Sequence, residues 1–151
     1  MKRAILSAAL AIAFMAGVSA QDKPDFAGTW KASGSFTVWT IAVDGSAMTI
    51  TMTIAGNSDP TVYLLDGTPS KKIVEGPNGP EENVYTSTWE GDVLVTTITQ
   101  PTMTRIERRS IEADGTMKVQ STITMMQGKF APPGRGGRGS GPPPLVLKRV
   151  K

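Results

Sequence analysis

The chain has 151 residues, of which 39% are apolar, 19% charged and 6% aromatic, and its formal charge is +3. It holds neither Cys nor His, which excludes disulfides, thiol catalysis, the Ser-His-Asp triad and the usual zinc sites, because each needs a soft ligand or a base titrating near neutrality. The length suits a single domain.

The first element is a targeting segment. Met1-Lys2-Arg3 is a short basic start, Ala4 to Val18 is an apolar run broken only by Ser7, and Val18-Ser19-Ala20 puts small residues where signal peptidase cuts. The apolar run is shorter than the roughly 20 residues of a bilayer span, so residues 1–20 are expected to be a cleaved signal. Residues 21–151 then form one secreted or periplasmic domain with no membrane span. Loss of Lys2 and Arg3 lowers the charge to +1, leaving no electrostatic footprint for nucleic acid or an anionic membrane.

From Phe26 onward the pattern has period two. In Met48-Thr49-Ile50-Thr51-Met52-Thr53-Ile54, Met and Ile hold the even positions and Thr the odd ones, predicting a strand with one buried face. Met117, Val119, Ser121, Ile123 and Met125 repeat the logic against Lys118, Gln120, Thr122 and Thr124. Other extended segments are 28–32, 36–43, 61–65, 84–89, 93–100, 102–111 and 145–150. Asp44-Gly45, Asp66-Gly67, Glu90-Gly91-Asp92 and Asp114-Gly115 supply the positive φ of tight hairpins. A chain of short-looped antiparallel strands predicts an all-β fold, an antiparallel up-and-down β-barrel of eight or nine strands; a two-sheet sandwich is the alternative. Long enough for a sandwich crossover are only 70–82 and 131–144.

The second of those, Ala131 to Pro144, has five Gly and five Pro in fourteen residues, which suits neither a strand ladder nor a core. It is expected to be a flexible, dispensable insertion rather than a nucleic-acid segment, since only Arg135 and Arg138 are charged and no aromatic is interleaved.

Gly28-Thr29-Trp30 resembles the Gly-x-Trp start of the first strand in lipocalins and their calycin relatives. Tyr63-Leu64-Leu65-Asp66-Gly67, Thr88-Trp89-Glu90-Gly91-Asp92-Val93-Leu94-Val95 and Arg105-Ile106-Glu107-Arg108 are similar to the recurrent pattern of small secreted bacterial lipocalin-like proteins. The resemblance spans nearly all of 21–151, except the Gly/Pro-rich stretch, and implies a lipocalin-like barrel that binds a small ligand. It also implies that Arg149 packs on Trp30 to close the barrel base by a cation–π contact; an exposed terminal charge is the alternative.

Catalysis is not expected. Carboxylates are the acid–base groups left, and Asp44, Asp66, Asp114, Glu90 and Asp92 all have turn positions, with no facing pair. No oxygen-ligand series for a hard cation is present, and neither a metal nor another cofactor is expected. The eight aromatics after residue 20 are scattered and form no girdles of an outer-membrane barrel. What remains is a barrel holding a small apolar or acidic lipid-like ligand, or a filled barrel acting as an envelope interaction module. Candidate ligand contacts are Trp39, Met48, Met52, Trp89, Arg108 and Met125, the Met residues because the thioether adapts to shape. Arg108 is included because one face of 103–111 carries Arg105, Glu107 and Arg109 and the other only Arg108. Burying one charge costs less than burying three, so the Arg108 face is expected inside, there to anchor an acidic head group, or at the barrel mouth reaching into water.

Overall fold

The computed structural model describes residues 23–76, 78–125 and 142–150; residues 1–20, expected to be a signal, and most of the Gly/Pro-rich stretch lie outside them. The described residues form ten strands and no helix: β1 (Gly28–Ala32), β2 (Val38–Asp44), β3 (Ala47–Ile54), β4 (Asn57–Leu64), β5 (Ser70–Gly76), β6 (Gly79–Glu90), β7 (Val93–Thr99), β8 (Met103–Ile111), β9 (Met117–Met125) and β10 (Leu145–Arg149). They make one antiparallel sheet in the order β4-β3-β2-β1-β10-β9-β8-β7-β6-β5. Every neighbour is a sequence neighbour except β1 and β10, whose pairing, Trp30 opposite Arg149, joins the first and last of the described strands. The sheet curls until β4 approaches β5 and β6, giving a nearly closed barrel.

Turn chemistry explains the meander. Gly45 and Gly115 sit at φ 57° and 79°, the left-handed region in which a Cβ is costly, and their Asp partners bend each hairpin back on itself. The Asp66 and Asp114 carboxylates accept hydrogen bonds from the Thr68 and Thr116 amides, both at 2.9 Å. Those bonds, with each Thr hydroxyl, hold both carboxyls below the ordinary aspartate range.

The strand count exceeds the eight or nine expected because 70–82, read as a possible crossover, is instead β5 and the start of β6. Gly76 ends β5, and Gly79 and Pro80 begin β6, so these residues sit at the strand ends. Within β5, Lys72 and Val74 are half-buried and Lys71, Ile73 and Glu75 are exposed, a period of two masked by the lysines.

The interior is divided along the barrel axis. At the base, Trp30, Ile41, Met48, Leu94, Met117 and Leu147 are all at most 2% exposed. Residues 23–27 cross this end as a strap, seating Phe26 against Trp89 with ring centroids 5.8 Å apart. Trp30 Nε1–H donates to the Phe26 carbonyl at 2.9 Å, so the strap also satisfies the one polar group of the buried indole. Toward the other end, where β1 leads into β2, exposure rises and polar side chains take over.

Candidate functional site

At the mouth half of the barrel a cavity of about 280 Å³ opens between β2, β3, β4, β5, β6 and β8. Trp39, Ile50, Met52 and Val74 form its apolar wall. Its polar wall holds three cations, Lys72, Arg105 and Arg109, against two carboxylates, Asp59 and Glu107.

The polar wall is built mainly by β8, whose alternation turns Arg105, Glu107 and Arg109 to one face. Glu107 is ion-paired to Arg105 at 3.2 Å and, on its other oxygen, to Arg109. Arg109 Nη1–H donates to Thr96 Oγ1 at 3.3 Å, and the Thr96 hydroxyl shares a hydrogen bond with that of Ser87 at 2.9 Å. The Arg109 guanidinium also lies 5.3 Å from the centroid of Tyr63, which meets Tyr85 edge-on at 5.3 Å. Burial raises the Tyr63 phenol above its usual value, opposed by the Arg109 charge, so the group stays neutral and polarisable at the cavity floor. Arg109 Nε is buried without a hydrogen-bond partner, and Arg105 Nε meets Glu107 Oε1 only in the 3.2 Å ion pair, without hydrogen-bond geometry. Lys72 completes the wall, bonded to Asp59 and to Thr61 Oγ1.

Arg108 therefore faces out, opposite to the expectation for its face of β8, and pairs across β7 with Glu90 at the end of β6, at 2.7 Å. Charges counted one at a time favour burying the face with a single Arg; counted as a set, Arg-Glu-Arg is largely self-compensating. A lone interior Arg108 would have been the costlier choice. Met125 is corrected too: it is 69% exposed, because β9 runs past its packed part, with exposure rising from Met117 at 0% through Ile123 at 47%.

Of the remaining candidates, Trp39 and Met52 line the mouth cavity, Met52 being 37% exposed there. Met48 is fully buried beneath it, and Trp89 lies at the base against Phe26. The Arg149 guanidinium is 4.7 Å from the Trp30 ring centroid, and Nη2–H donates to the Asp25 carbonyl at 2.9 Å. Sequence reasoning did not select Arg105, Glu107, Arg109, Lys72, Asp59 or Tyr63; the spacing Arg-x-Glu-x-Arg, a carboxylate between two guanidiniums on one strand face, was the available signal. Among the described residues no group of three or more Asp or Glu is arranged to hold a metal ion, and no helix is long and apolar enough to cross a membrane.

No known protein-family profile matches this sequence, and no curated protein does. Among solved structures the chain is similar to a secretary abundant heat soluble (SAHS) protein from Ramazzottius varieornatus, with a TM-score of 0.57 and 11% identity, covering 83% of this chain and 95% of that one. At that identity the likeness concerns the fold, and the described residues form an all-β, ten-stranded, nearly closed antiparallel barrel.

Proposed function

We infer that this barrel binds a small amphipathic ligand with an anionic head group, taken into the mouth cavity head first. The observation that carries the reading is the cavity's charge: a third cation uncompensated by its two carboxylates, with the Nε–H of Arg109 buried and without a hydrogen-bond acceptor. A buried donor without an acceptor costs about 1–3 kcal/mol, and a ligand carboxylate or phosphate that accepts from it recovers that cost. The apolar wall of Trp39, Ile50, Met52 and Val74 then covers the adjoining hydrocarbon.

The same geometry favours binding over catalysis. Both oxygens of Glu107 are occupied by guanidiniums, so the carboxylate holds the arginines rather than meeting a substrate proton. An exported location belongs to the proposal as well and rests on the basic start, apolar run and small residues of 1–20.

Calorimetric titration with octanoate and with octanol tests it. Octanoate is expected to bind saturably and octanol more weakly, and Arg105→Gln should lower octanoate affinity by about tenfold or more while leaving octanol unchanged. Arg105 is suited to this test because its side chain is 39% exposed and its loss leaves the Arg109–Glu107 pair in place. Equal binding of acid and alcohol, or binding of neither, would overturn the reading.

A further inference from the structure

A second cavity, of about 440 Å³, lies at the base of the barrel, between the strap, the β2–β3 hairpin and the β4–β5 turn. Its walls are apolar: Pro24, Phe26, Val43, Met48, Leu65 and Trp89. Its charged groups, Lys23, Asp25 and Asp66, are already engaged, with Gly91, Arg149 and Thr68 respectively.

One residue layer separates the two cavities. Met48 lines the basal cavity, while its cross-strand partner Tyr63 and its same-face neighbour Ile50 line the mouth cavity. Tyr63 is fixed on two sides, by Tyr85 at its edge and Arg109 over its face. Met48 has no such tie, and an unbranched thioether with three rotatable bonds repacks at little cost. The volumes point the same way: small-molecule sites span roughly 300–1,000 Å³, and the mouth cavity alone, at about 280 Å³, falls short of it. Joined to the basal cavity it lies well inside.

We propose that the basal cavity is the tail compartment of the binding site and that Met48 is the septum governing entry to it, so that the barrel selects long-chain over short-chain anionic amphiphiles. The head group stays at Arg105 and Arg109, the chain passes Tyr63 where Met48 turns aside, and its end lies against Leu65 and Trp89. The proposal rests on the binding reading above. It adds the length of the ligand and the residue that reads it.

The test compares octanoate with hexadecanoate on the full chain. Wild type should bind hexadecanoate at least about tenfold tighter, since each further buried methylene adds to affinity. Val43→Trp fills the basal cavity from its rim, where Val43 is 43% exposed, and should erase that preference while leaving octanoate affinity within about twofold. Met48→Phe, which makes the septum stiff, should do the same; should that variant fail to fold, Val43→Trp decides alone. Retention of the long-chain preference in Val43→Trp, or its absence in wild type that still binds octanoate, overturns the compartment and leaves head-group binding standing. Failure of wild type to bind either acid removes both.

Discussion

Glu107 owes its buried position to the arginines two residues before and after it on β8. Its side chain is 11% exposed and that of Arg109 3%, so neither charge is stabilised by bulk water; each is stabilised by the other. Removing one member of such a set exposes what the set conceals. Glu107→Leu leaves Arg105 and Arg109 facing each other in the cavity wall without a counter-charge, and should lower the unfolding free energy by about 3–5 kcal/mol in urea titration. Arg108→Met, one position away, breaks a pair whose side chains are 48% and 55% exposed, and screening should hold its effect within about 1 kcal/mol. Comparable losses in the two variants would mean that the β8 faces are assigned the wrong way round. The contrast also shows why sequence misplaces Arg108: the cost of burying a charge depends on its neighbours across space, and period two alone reports which residues share a face, not which face is inside.

At the scale of elements, legibility follows the contrast between faces. In β3 one face is Met and Ile and the other Thr, so the burial of Met48 and Ile50 is readable directly; Ile54 shares their register, yet at the end of the strand it is 51% exposed. In β5 the lysines hide the alternation. The Gly-x-Trp start of β1 was readable as a motif, and the structure supplies its physical content. Gly28 sits at φ 130°, a conformation L side chains avoid, where the strap enters the strand, with Arg149 passing 3.7 Å from the position of an added Cβ. That bend lets Phe26 reach Trp89 and lets the Phe26 and Asp25 carbonyls accept from Trp30 and Arg149. Gly28→Ala should therefore cost about 1–3 kcal/mol of stability from backbone strain. It should also loosen the strap, seen as a change in Trp89 emission when Phe26 no longer stacks on it. Wild-type stability and emission in this variant would show that the bend is made elsewhere.

For the whole molecule, the decisive feature is the seam between the first and last strands of the sheet order. β4 and β5 are consecutive in sequence and lie at opposite edges, approaching without a ladder, so each carries a row of backbone groups that no strand partner satisfies. Side chains close the seam instead: Lys72 reaches from β5 to Asp59 and to Thr61 Oγ1 at 3.0 Å, and Ser70 Oγ–H donates to the Val62 carbonyl at 2.6 Å. Sequence could not reveal this, because the break falls at an Asp-Gly turn, Asp66-Gly67, of the same kind as Asp44-Gly45, which does join a paired hairpin. What differs is that β1 and β10 pair in the middle of the strand order, so the two edges of the sheet fall at β4 and β5. Stability should accordingly be uneven around the barrel. In native-state hydrogen exchange, the edge-facing amides of β4 and β5 are expected to exchange far faster than those of β7 and β8, which are paired on both sides. Lys72→Met removes the clip while keeping the length of the side chain, and should accelerate exchange further in both edge strands while leaving β7 and β8 unchanged. Uniform protection around the sheet, or a Lys72→Met effect spread over all ten strands, would show that the seam opens only with the whole barrel.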